Sequence, residues 1–453
     1  QGRLVPVFSE SQAQGVLLAR QGLSLLGRGQ GRAYGDAALN SGNLTLNFTP
    51  ANRFLSFDAK RGLLHAEAGV TLEQILNTFI PRGWFLPVTP GTKFPTLGGS
   101  VACDVHGKSH LSISHYVERL HMLMADGSRV ACSPTEKPDL FWATTGGMGL
   151  TGLITSVELR LQAIESSFIK YEGVKAANLE EIFRLFEESA ESPLTVAWID
   201  CLAQGRTLGR SIMMRGEFAR KRDLKTSARR QHALAVSHKP QVTVPFDLPG
   251  VTLNRFSMAA FNAAYFGKHP RHTETIMDFD SFFYPLDSVL HWNRIYGKSG
   301  MVQYQFLIPP RHSFEGIKTL LEAISASGKA SFLAVLKKFG PMNNQGLLSF
   351  PTPGHFLALD FPVGNGDIFK HMDRWDELVL KFGGRVYLAK DARMHSGTFR
   401  AMYPRLPEWL RVKKKYDPHN VFASDLGRRL GLPDGGGLRH RRSGRSQSTR
   451  GKA

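Results

Sequence analysis

The sequence GRGQGRAYGD, from Gly27 to Asp36, follows the apolar run 23–26 and carries its first three glycines at every second position. Glycines at this spacing let successive backbone N–H groups line one concavity that can hold phosphate oxygens. The segment begins like the dinucleotide fingerprint G-x-G-x-x-G, but Arg32 stands where the third glycine belongs. A nicotinamide-type Rossmann site is therefore disfavoured, while a glycine-rich turn between two strands stays open as an alternative.

Two further segments are also dense in glycine. Residues 90–110 read PGTKFPTLGGSVACDVHGKSH, and residues 141–152 read FWATTGGMGLTG. The pair Gly98 and Gly99 permits close backbone approach to a flat ligand. Three such loops, each bounded by strand-like runs, are hard to explain as turns alone. The sequence therefore indicates a nucleotide cofactor.

The three segments together resemble the FAD domain of the vanillyl-alcohol-oxidase type of flavoproteins, also called PCMH-type. The resemblance runs from Gly27 to about Leu430 and includes the stretches YPRLPEWL and VFASDLGRRL. Within this superfamily the chain is most similar to the oxidases of polyprenylphosphoryl ribose. The resemblance implies an α+β fold, with a two-subdomain PCMH-type FAD-binding domain and a substrate-binding cap domain built on an antiparallel sheet with flanking helices.

The chain of 453 residues is too long for one ordinary core, so two domains are expected. The glycine-dense loops end before residue 160, and four prolines interrupt the pattern between residues 220 and 280. We predict the first part of the FAD domain at 1–165 and a substrate domain at 166–384, with mobile loops at about 220–280. A return segment at 385–432 completes the FAD domain, and a disordered basic tail follows at 433–453.

The net charge of +19 is concentrated in part in two basic runs, Arg220–Arg230 and Arg439–Lys452. Such runs are either solvated or attracted to anionic lipid headgroups. Neither run contains the aromatic residues that nucleic-acid stacking requires, so a nucleic-acid partner is disfavoured. We expect a phosphorylated lipid substrate and an anionic membrane surface as partners.

The three cysteines have no paired spacing, so neither a disulfide framework nor a zinc site is indicated, and a reducing compartment is the simpler inference. No apolar run approaches the ~18 residues of a membrane span, and no signal peptide is visible. The chain begins at Gln1, so an upstream segment can be missing. We expect a cytoplasmic protein that associates peripherally with the inner membrane.

The resemblance implies FAD as the cofactor, and it gives a set of cofactor-binding residues. Gln30 occupies the place where covalently flavinylated relatives carry histidine, so we predict FAD held without a covalent bond. The predicted cofactor-binding residues are Gly27, Arg28, Gly29, Gln30, Gly31, Arg32, Tyr34, Gly91, Thr92, Thr96, Gly98, Gly99, Cys103, His106, Gly107 and Ile154.

Oxidation of a hydroxyl by a flavin requires a group that takes the hydroxyl proton. Lys390 in VYLAKDAR matches a family lysine that faces flavin and substrate, although a lysine at a strand end is ordinarily a surface charge. Whether it takes the proton or only orients the hydroxyl stays open. The predicted catalytic residues are Lys390, Tyr34, Lys108 and Gln305, and the predicted substrate-binding residues are Gln303, Gln305, Lys337, Lys108 and Lys390.

Two of these residues are also supported by local pattern. Gln303 and Gln305 alternate with Tyr304 on an apolar strand, which puts both amides on one face. His106 and His110 lack a further ligand at metal-binding spacing, so we assign no metal and expect them to donate or accept hydrogen bonds near the cofactor.

The predicted activity is FAD-dependent oxidation of the 2'-hydroxyl of a polyprenylphosphoryl-β-D-ribose to the 2'-keto sugar. This would be the first half of an epimerisation that provides the arabinose donor for cell-envelope polysaccharide. The resemblance implies an NAD(P)H-dependent short-chain reductase as the partner for the second half. The alternative is a soluble sugar, alditol or aldonolactone oxidase of the same superfamily that uses oxygen.

Overall fold

The computed structural model describes residues 2–236, 242–249, 252–329, 331, 333–364 and 366–435. The predicted tail is therefore described only to residue 435, and the basic run from Arg439 lies outside the described residues. The strands are β1 Arg3–Pro6, β2 Leu25–Arg28, β3 Leu44–Asn47, β4 Phe54–Asp58, β5 Leu63–Glu67, β6 Trp84–Phe85, β7 Val117–Leu123, β8 Arg129–Cys132, β9 Leu153–Arg160, β10 Gln162–Ala163, β11 Phe168–Ala176, β12 Leu194–Ile199, β13 Ser211–Phe218, β14 Val242–Thr243, β15 His272–Asp278, β16 Val289–Leu290, β17 Met301–Ile308, β18 Ala334–Phe339, β19 Gly354–Pro362 and β20 Arg385–Val386.

The helices lie between and after these strands. They are α1 Glu10–Leu18, α2 Leu72–Phe79, α3 Leu97–Ala102, α4 Pro138–Thr144, α5 Leu179–Glu188, α6 Ser227–Gln231, α7 Arg255–Lys268, α8 Phe279–Phe283, α9 Ser313–Ala326, α10 Ile368–Lys381, α11 Ser396–Met402, α12 Leu406–Tyr416 and α13 Asp425–Arg429. Among the described residues, no helix is both long enough and apolar enough to cross a bilayer.

Two sheets of three and five strands contain every strand of the first 160 described residues except β6, which pairs with β10. Strands β1, β3 and β2 make a parallel sheet in that order, and β4-β5-β9-β7-β8 make an antiparallel sheet. The sequence TLEQ at residues 71–74 has the S/T-x-x-E/Q pattern that predicts a capping box at the start of a helix, and the structure confirms it. The backbone N–H of Gln74 donates to Thr71 Oγ1 at 3.2 Å, and that of Thr71 donates to Gln74 Oε1 at 2.8 Å. This mutual pairing fixes where α2 begins.

The larger, antiparallel sheet has the strand order β15-β11-β13-β12-β18-β19-β17-β20. The apolar residues at positions 314, 317, 320, 321 and 324 have the spacing that predicts the buried stripe of a helix. The structure confirms it in α9, whose Ile317, Leu320, Leu321 and Ile324 are fully buried. Helix α10 covers the same face, where Tyr304 donates its hydroxyl to Asp376 at 2.8 Å. Because side chains alternate along a strand, residues 303 and 305 point to the opposite face. The combination of these sheets and helices confirms the α+β class.

The last part of the chain returns to its beginning. The backbone N–H of Leu25 donates to Val421 O at 2.7 Å, and that of Ala423 donates to Leu25 O at 3.0 Å. Buried Lys413 anchors this contact by donating to Asp417 Oδ2 and to Phe422 O. The segment that follows the large sheet thus packs against the first sheet.

The region 220–280 contains α6, β14, α7, the whole of β15 and the start of α8. Several of its apolar side chains are exposed, among them Val242, Phe246, Phe256 and Phe261. The mobility of this region stays a prediction.

Candidate active site

The first glycine loop packs against the second. A Cβ added at Gly29 would lie 2.0 Å from Thr96 Oγ1, and Gly31 has a φ of +62° that favours glycine. Gly27 and Arg28 belong to β2, so the loop itself begins at Gly29. The two glycines leave the backbone at positions 29 and 31 without side-chain bulk on either side of Gln30, as an anion cradle requires.

The second glycine loop enters α3 at Thr96, whose hydroxyl accepts the backbone N–H of Gly99 at 3.3 Å. A Cβ at Gly98 would lie 2.7 Å from that of Ala68, and one at Gly107 would lie 1.9 Å from Thr89 O. The glycines therefore let this loop pack closely on the neighbouring backbone.

Three polar atoms on this second loop are buried without a partner among the described residues. They are Ser100 Oγ, His106 Nδ1 and His110 Nδ1. Buried polar groups in native proteins are almost always paired, so these atoms fit a site for a polar ligand. Together with the glycine cradle, they show that the residues present fit FAD.

The other predicted cofactor residues lie along the same loops and strands. Arg32 stacks its guanidinium over the Phe94 ring at 5.1 Å, and Gln30 is exposed. Cys103 directly follows α3, and its carbonyl oxygen accepts a hydrogen bond from the Tyr387 hydroxyl. Of the rest, Gly91 is exposed, Thr92 is half-buried, and Ile154 is buried on β9.

Lys390 lies above Tyr34 at the end of the first loop. Its Nζ is 3.8 Å from the centroid of the Tyr34 ring, and the backbone N–H of Tyr34 donates to Ala389 O at 2.9 Å. Lys390 ends the 3-10 turn 388–390 and is half-buried. Burial lowers the pKa of Lys390, and the nearby Asp360 carboxylate opposes that shift.

Asp360 is a residue that sequence reasoning missed. It is fully buried, it accepts Gln303 Nε2 at 2.5 Å, and its Oδ2 has no hydrogen-bond partner among the described residues. Burial raises the pKa of Asp360, while Gln303 and Lys390 favour its charged form. An acid inside the apolar run FLALDFP was the signal in the sequence that could have identified it.

His106 and Gln305 meet in the middle of the site. Gln305 Nε2 lies 2.6 Å from His106 Nε2, so the amide donates to an imidazole nitrogen. The imidazole is surrounded by aromatic rings, including Phe356 at 5.1 Å and Tyr387 at 5.0 Å between centroids. Burial, reinforced by Lys390 and Lys337, lowers the pKa of His106 to about 3, so the ring is neutral.

Lys108 and Lys337 are two further lysines of the site, and they contact each other. Lys337 is fully buried and donates to Lys108 O at 2.9 Å and to Thr195 Oγ1 at 2.7 Å. Lys108 Nζ lies 5.3 Å from the Phe282 ring centroid and donates to Phe283 O. Burial lowers the pKa of Lys108 to about 8, and burial together with Lys108 lowers that of Lys337 further.

The register of the large sheet places these groups side by side. Gln303 pairs with Asp360 and Gln305 with Ala358 between β17 and β19, while Lys337 on β18 pairs with Phe356. The predicted catalytic and substrate residues thus lie along one face of three adjacent strands and on the loops that contact it. His110 lies further out, and its Nε2 is 2.7 Å from Ser192 O.

The glycine cradle, the unpaired buried polar atoms and the row of polar groups facing it define an FAD-dependent oxidoreductase. Residues 9–133 match the model of an FAD binding domain, and residues 362–430 match that of D-arabinono-1,4-lactone oxidase. A decaprenylphosphoryl-beta-D-ribose oxidase from Mycolicibacterium smegmatis is 37% identical over 91% of this chain and 90% of its own length. The chain belongs to the family of this oxidase.

Two other relatives differ in how much of the chain they cover. An uncharacterized protein of Streptomyces coelicolor is 32% identical over 80% of this chain and all of its own length. The Delta(24)-sterol reductase of Homo sapiens is 29% identical over only 30% of this chain. The first similarity extends over both halves of the molecule, whereas the second covers less than a third of the chain.

Proposed function

We propose that this protein oxidises the 2'-hydroxyl of a polyprenylphosphoryl-β-D-ribose to the 2'-keto sugar. The observation that carries the proposal is the position of Lys390, stacked on Tyr34 and close to Asp360 at the face that bears Gln303 and Gln305. Bound FAD would supply the acceptor for the hydride that leaves the sugar carbon. The protein would supply the proton acceptor and the groups that hold the sugar.

Lys390 would take the proton of the reacting hydroxyl. A lysine can do so only as the neutral amine, and burial lowers the pKa of Lys390 towards the range in which that form is populated. The Asp360 carboxylate would stabilise the positive charge that forms on Lys390, because it favours the protonated lysine. Tyr34 would keep the amine in place through its ring.

Gln303, Gln305 and His106 would orient the sugar. Gln305 and His106 already pair with each other, and the second nitrogen of His106, Nδ1, is buried with no hydrogen-bond partner among the residues that the structure describes. Because Nε2 accepts the Gln305 amide and the ring is neutral, Nδ1 carries the proton and can donate a hydrogen bond. The cofactor or a sugar hydroxyl would pair with this nitrogen.

Lys108 and Lys337 would bind the phosphate of the substrate. Lys337 uses two of its three donors on Lys108 O and Thr195 Oγ1, which leaves one N–H for a ligand. Two buried cations destabilise each other, so a bound anion would raise both pKa values and bring the pair to full charge.

The first experiment compares substrates. Purified flavoprotein is mixed under anaerobic conditions with a short-chain polyprenylphosphoryl ribose, with free ribose and with an aldonolactone, and bleaching of the flavin is followed. We expect bleaching with the lipid-linked sugar only. Bleaching by the lactone or free sugar alone would instead favour the oxygen-dependent sugar or aldonolactone oxidase, which the D-arabinono-1,4-lactone oxidase match at 362–430 makes the second candidate.

A matched pair of lysines tests the phosphate site. Lys337→Met removes the buried cation, whereas Lys338→Met removes the next residue, which is paired with Glu187 at 2.5 Å. We expect KM for the lipid-linked sugar to rise at least about tenfold in Lys337→Met and to stay unchanged in Lys338→Met. Equal KM values in both variants would contradict the assignment.

The proposal includes a membrane surface as a partner and a peripheral location at the cytoplasmic side of the inner membrane. Exposed apolar residues support it, with Phe256 exposed to 85% and Phe246 to 63%. The run Arg220–Arg230 supplies positive charge in the same region of the sequence. Phe256→Glu should weaken binding to anionic vesicles, whereas Phe8→Glu, at another exposed phenylalanine, should not.

The proposal also includes a separate NAD(P)H-dependent reductase that returns the keto sugar to a hydroxyl of opposite configuration. This chain resembles an FAD enzyme, and its first glycine loop departs from the nicotinamide fingerprint at Arg32. Product analysis tests this division. The oxidase alone should accumulate the keto sugar, and addition of a short-chain reductase with NAD(P)H should convert it to the arabinose epimer.

A further inference from the structure

Two histidines and a glutamate meet on the sheet of the FAD-binding part, away from the active site. His65 lies on β5, His121 on β7 and Glu158 on β9, the strand between them. His65 pairs with Glu158 in the strand register, and His121 pairs with Ser156. Since residues 156 and 158 share a face of β9, all three side chains emerge on that face.

The small side chain of Ser156 allows the two imidazoles to meet above β9. Their ring centroids are 4.8 Å apart with 26° between the planes. His65 Nε2 lies 2.8 Å from Ser156 Oγ, and His121 Nε2 lies 3.1 Å from Glu158 Oε1. Each of the three residues therefore offers a ligand atom, and these atoms lie within 4.8 Å of one another.

We propose that His65, His121 and Glu158 bind one divalent transition-metal ion, of the class of Zn²⁺, Ni²⁺ or Cu²⁺. A tetrahedral ion with ligand bonds of about 2.0–2.2 Å holds its ligand atoms about 3.4 Å apart. The distance between His121 Nε2 and Glu158 Oε1, 3.1 Å, is close to this spacing, and a rotation of the His65 side chain away from Ser156 would bring in the third ligand. Two imidazoles and one carboxylate favour these ions over Ca²⁺ or Mg²⁺, which prefer oxygen ligands alone.

The surroundings favour a ligand role over a simple hydrogen-bonded cluster. All three side chains are half-buried, and the open side of the site leaves a position for water. Arg119 competes only weakly, because its Nε lies 4.0 Å from Glu158 Oε1 while its Nη1 pairs with Glu136 at 2.6 Å.

A bound ion would join three adjacent strands of the sheet. Because β5, β9 and β7 are hydrogen-bonded neighbours, the ion would act as a cross-link on a rigid surface. The sequence gives no spacing signal for this site, since the ligands are separated by 56 and 37 residues and meet only in the folded sheet. The inference is independent of the proposed activity.

The test uses the untagged, FAD-loaded protein after treatment with a chelator. Isothermal titration with Zn²⁺ should give one binding event per chain, and His65→Ala and Glu158→Gln should each weaken it by more than about tenfold. His395→Ala is the matched control, since among the described residues its imidazole forms an ion pair with one carboxylate, that of Asp373 at 3.9 Å. A Cu²⁺ electron paramagnetic resonance spectrum should show coupling to two nitrogens in the unaltered protein and to one in His65→Ala.

Retention of flavin absorbance shows that each variant is folded. If His65→Ala loses its flavin, the test of the metal site rests on Glu158→Gln. Absence of a Zn²⁺ binding event in the unaltered protein would overturn the proposal. An event of equal affinity in Glu158→Gln, His65→Ala and His395→Ala would overturn it as well.

Discussion

Replacing Lys390 with methionine separates two roles for this residue. If Lys390 only orients the hydroxyl, the loss is one charged hydrogen bond of about 1.5–3 kcal/mol, which is about 10-fold to 150-fold in rate. If it takes the proton, the loss is about 10²–10⁴-fold. Because burial lowers the pKa of Lys390 and so populates the neutral amine, we expect a loss of about 10³-fold in the rate of flavin reduction.

The two ranges overlap, so the pH dependence decides between them. A base acts when it is unprotonated, so the rate in the unaltered enzyme should rise with pH through the pKa of Lys390. That midpoint should lie below the ordinary lysine value of about 10.4, because burial lowers it. In Lys390→Met the rising limb should be absent.

Anaerobic stopped-flow measurement of flavin bleaching provides both quantities, because it isolates the reductive step from reoxidation. Lys338→Met is the control for loss of a lysine, since the Lys338 amine pairs with Glu187 and is not one of the site residues. A Lys390→Met enzyme that keeps the rising limb, or reduces its flavin within about tenfold of the normal rate, would refute the role as base.

Three further predictions concern the same site and loop. Asp360→Asn removes the charge that raises the pKa of Lys390, so the rising limb of the rate should move to lower pH; no movement, or movement to higher pH, contradicts the coupling. Gly35→Ala puts a Cβ 2.2 Å from Asp391 O at a φ of +79°, so it should lower both Tm and the reduction rate. Gly42→Ala has a similar φ of +73° but open space around the Cβ, so it should lower only Tm, through a loss of about 1–2 kcal/mol in the free energy of unfolding. With Gln30 in place of the linking histidine, acid precipitation should release all FAD into the supernatant, and flavin fluorescence on the denatured polypeptide would contradict a non-covalent cofactor.

The features that could be predicted from the sequence depend on neighbours in the chain. The stripe of α9 and the capping box of α2 are set by residues three and four apart, and both are confirmed. The shared face of Gln303 and Gln305 likewise follows from the alternation of a strand, and their partners Asp360 and His106 lie on the side of the sheet away from α10. Local spacing carries enough information for such features.

The features that could not be predicted depend on which strands become neighbours. Asp360 matters because β19 pairs with β17 in a register that puts it opposite Gln303, and nothing within either strand fixes that pairing. His65, His121 and Glu158 meet for the same reason. Only the family resemblance led us to expect Tyr34 and Lys390 in the same site, because the two residues are 356 positions apart in the sequence.

Arg429 connects the end of the first glycine loop to the segment that carries Lys390. Arg429 donates to Asp36 Oδ1 at 2.7 Å at the end of the glycine loop and to Asp391 Oδ2 at 2.9 Å next to Lys390. These partly buried charge pairs are shielded from water on one side, so they hold the two segments more firmly than surface pairs would. A displacement of the glycine loop would therefore also move Lys390, so the position of the cofactor and that of the proton acceptor are set by one set of contacts.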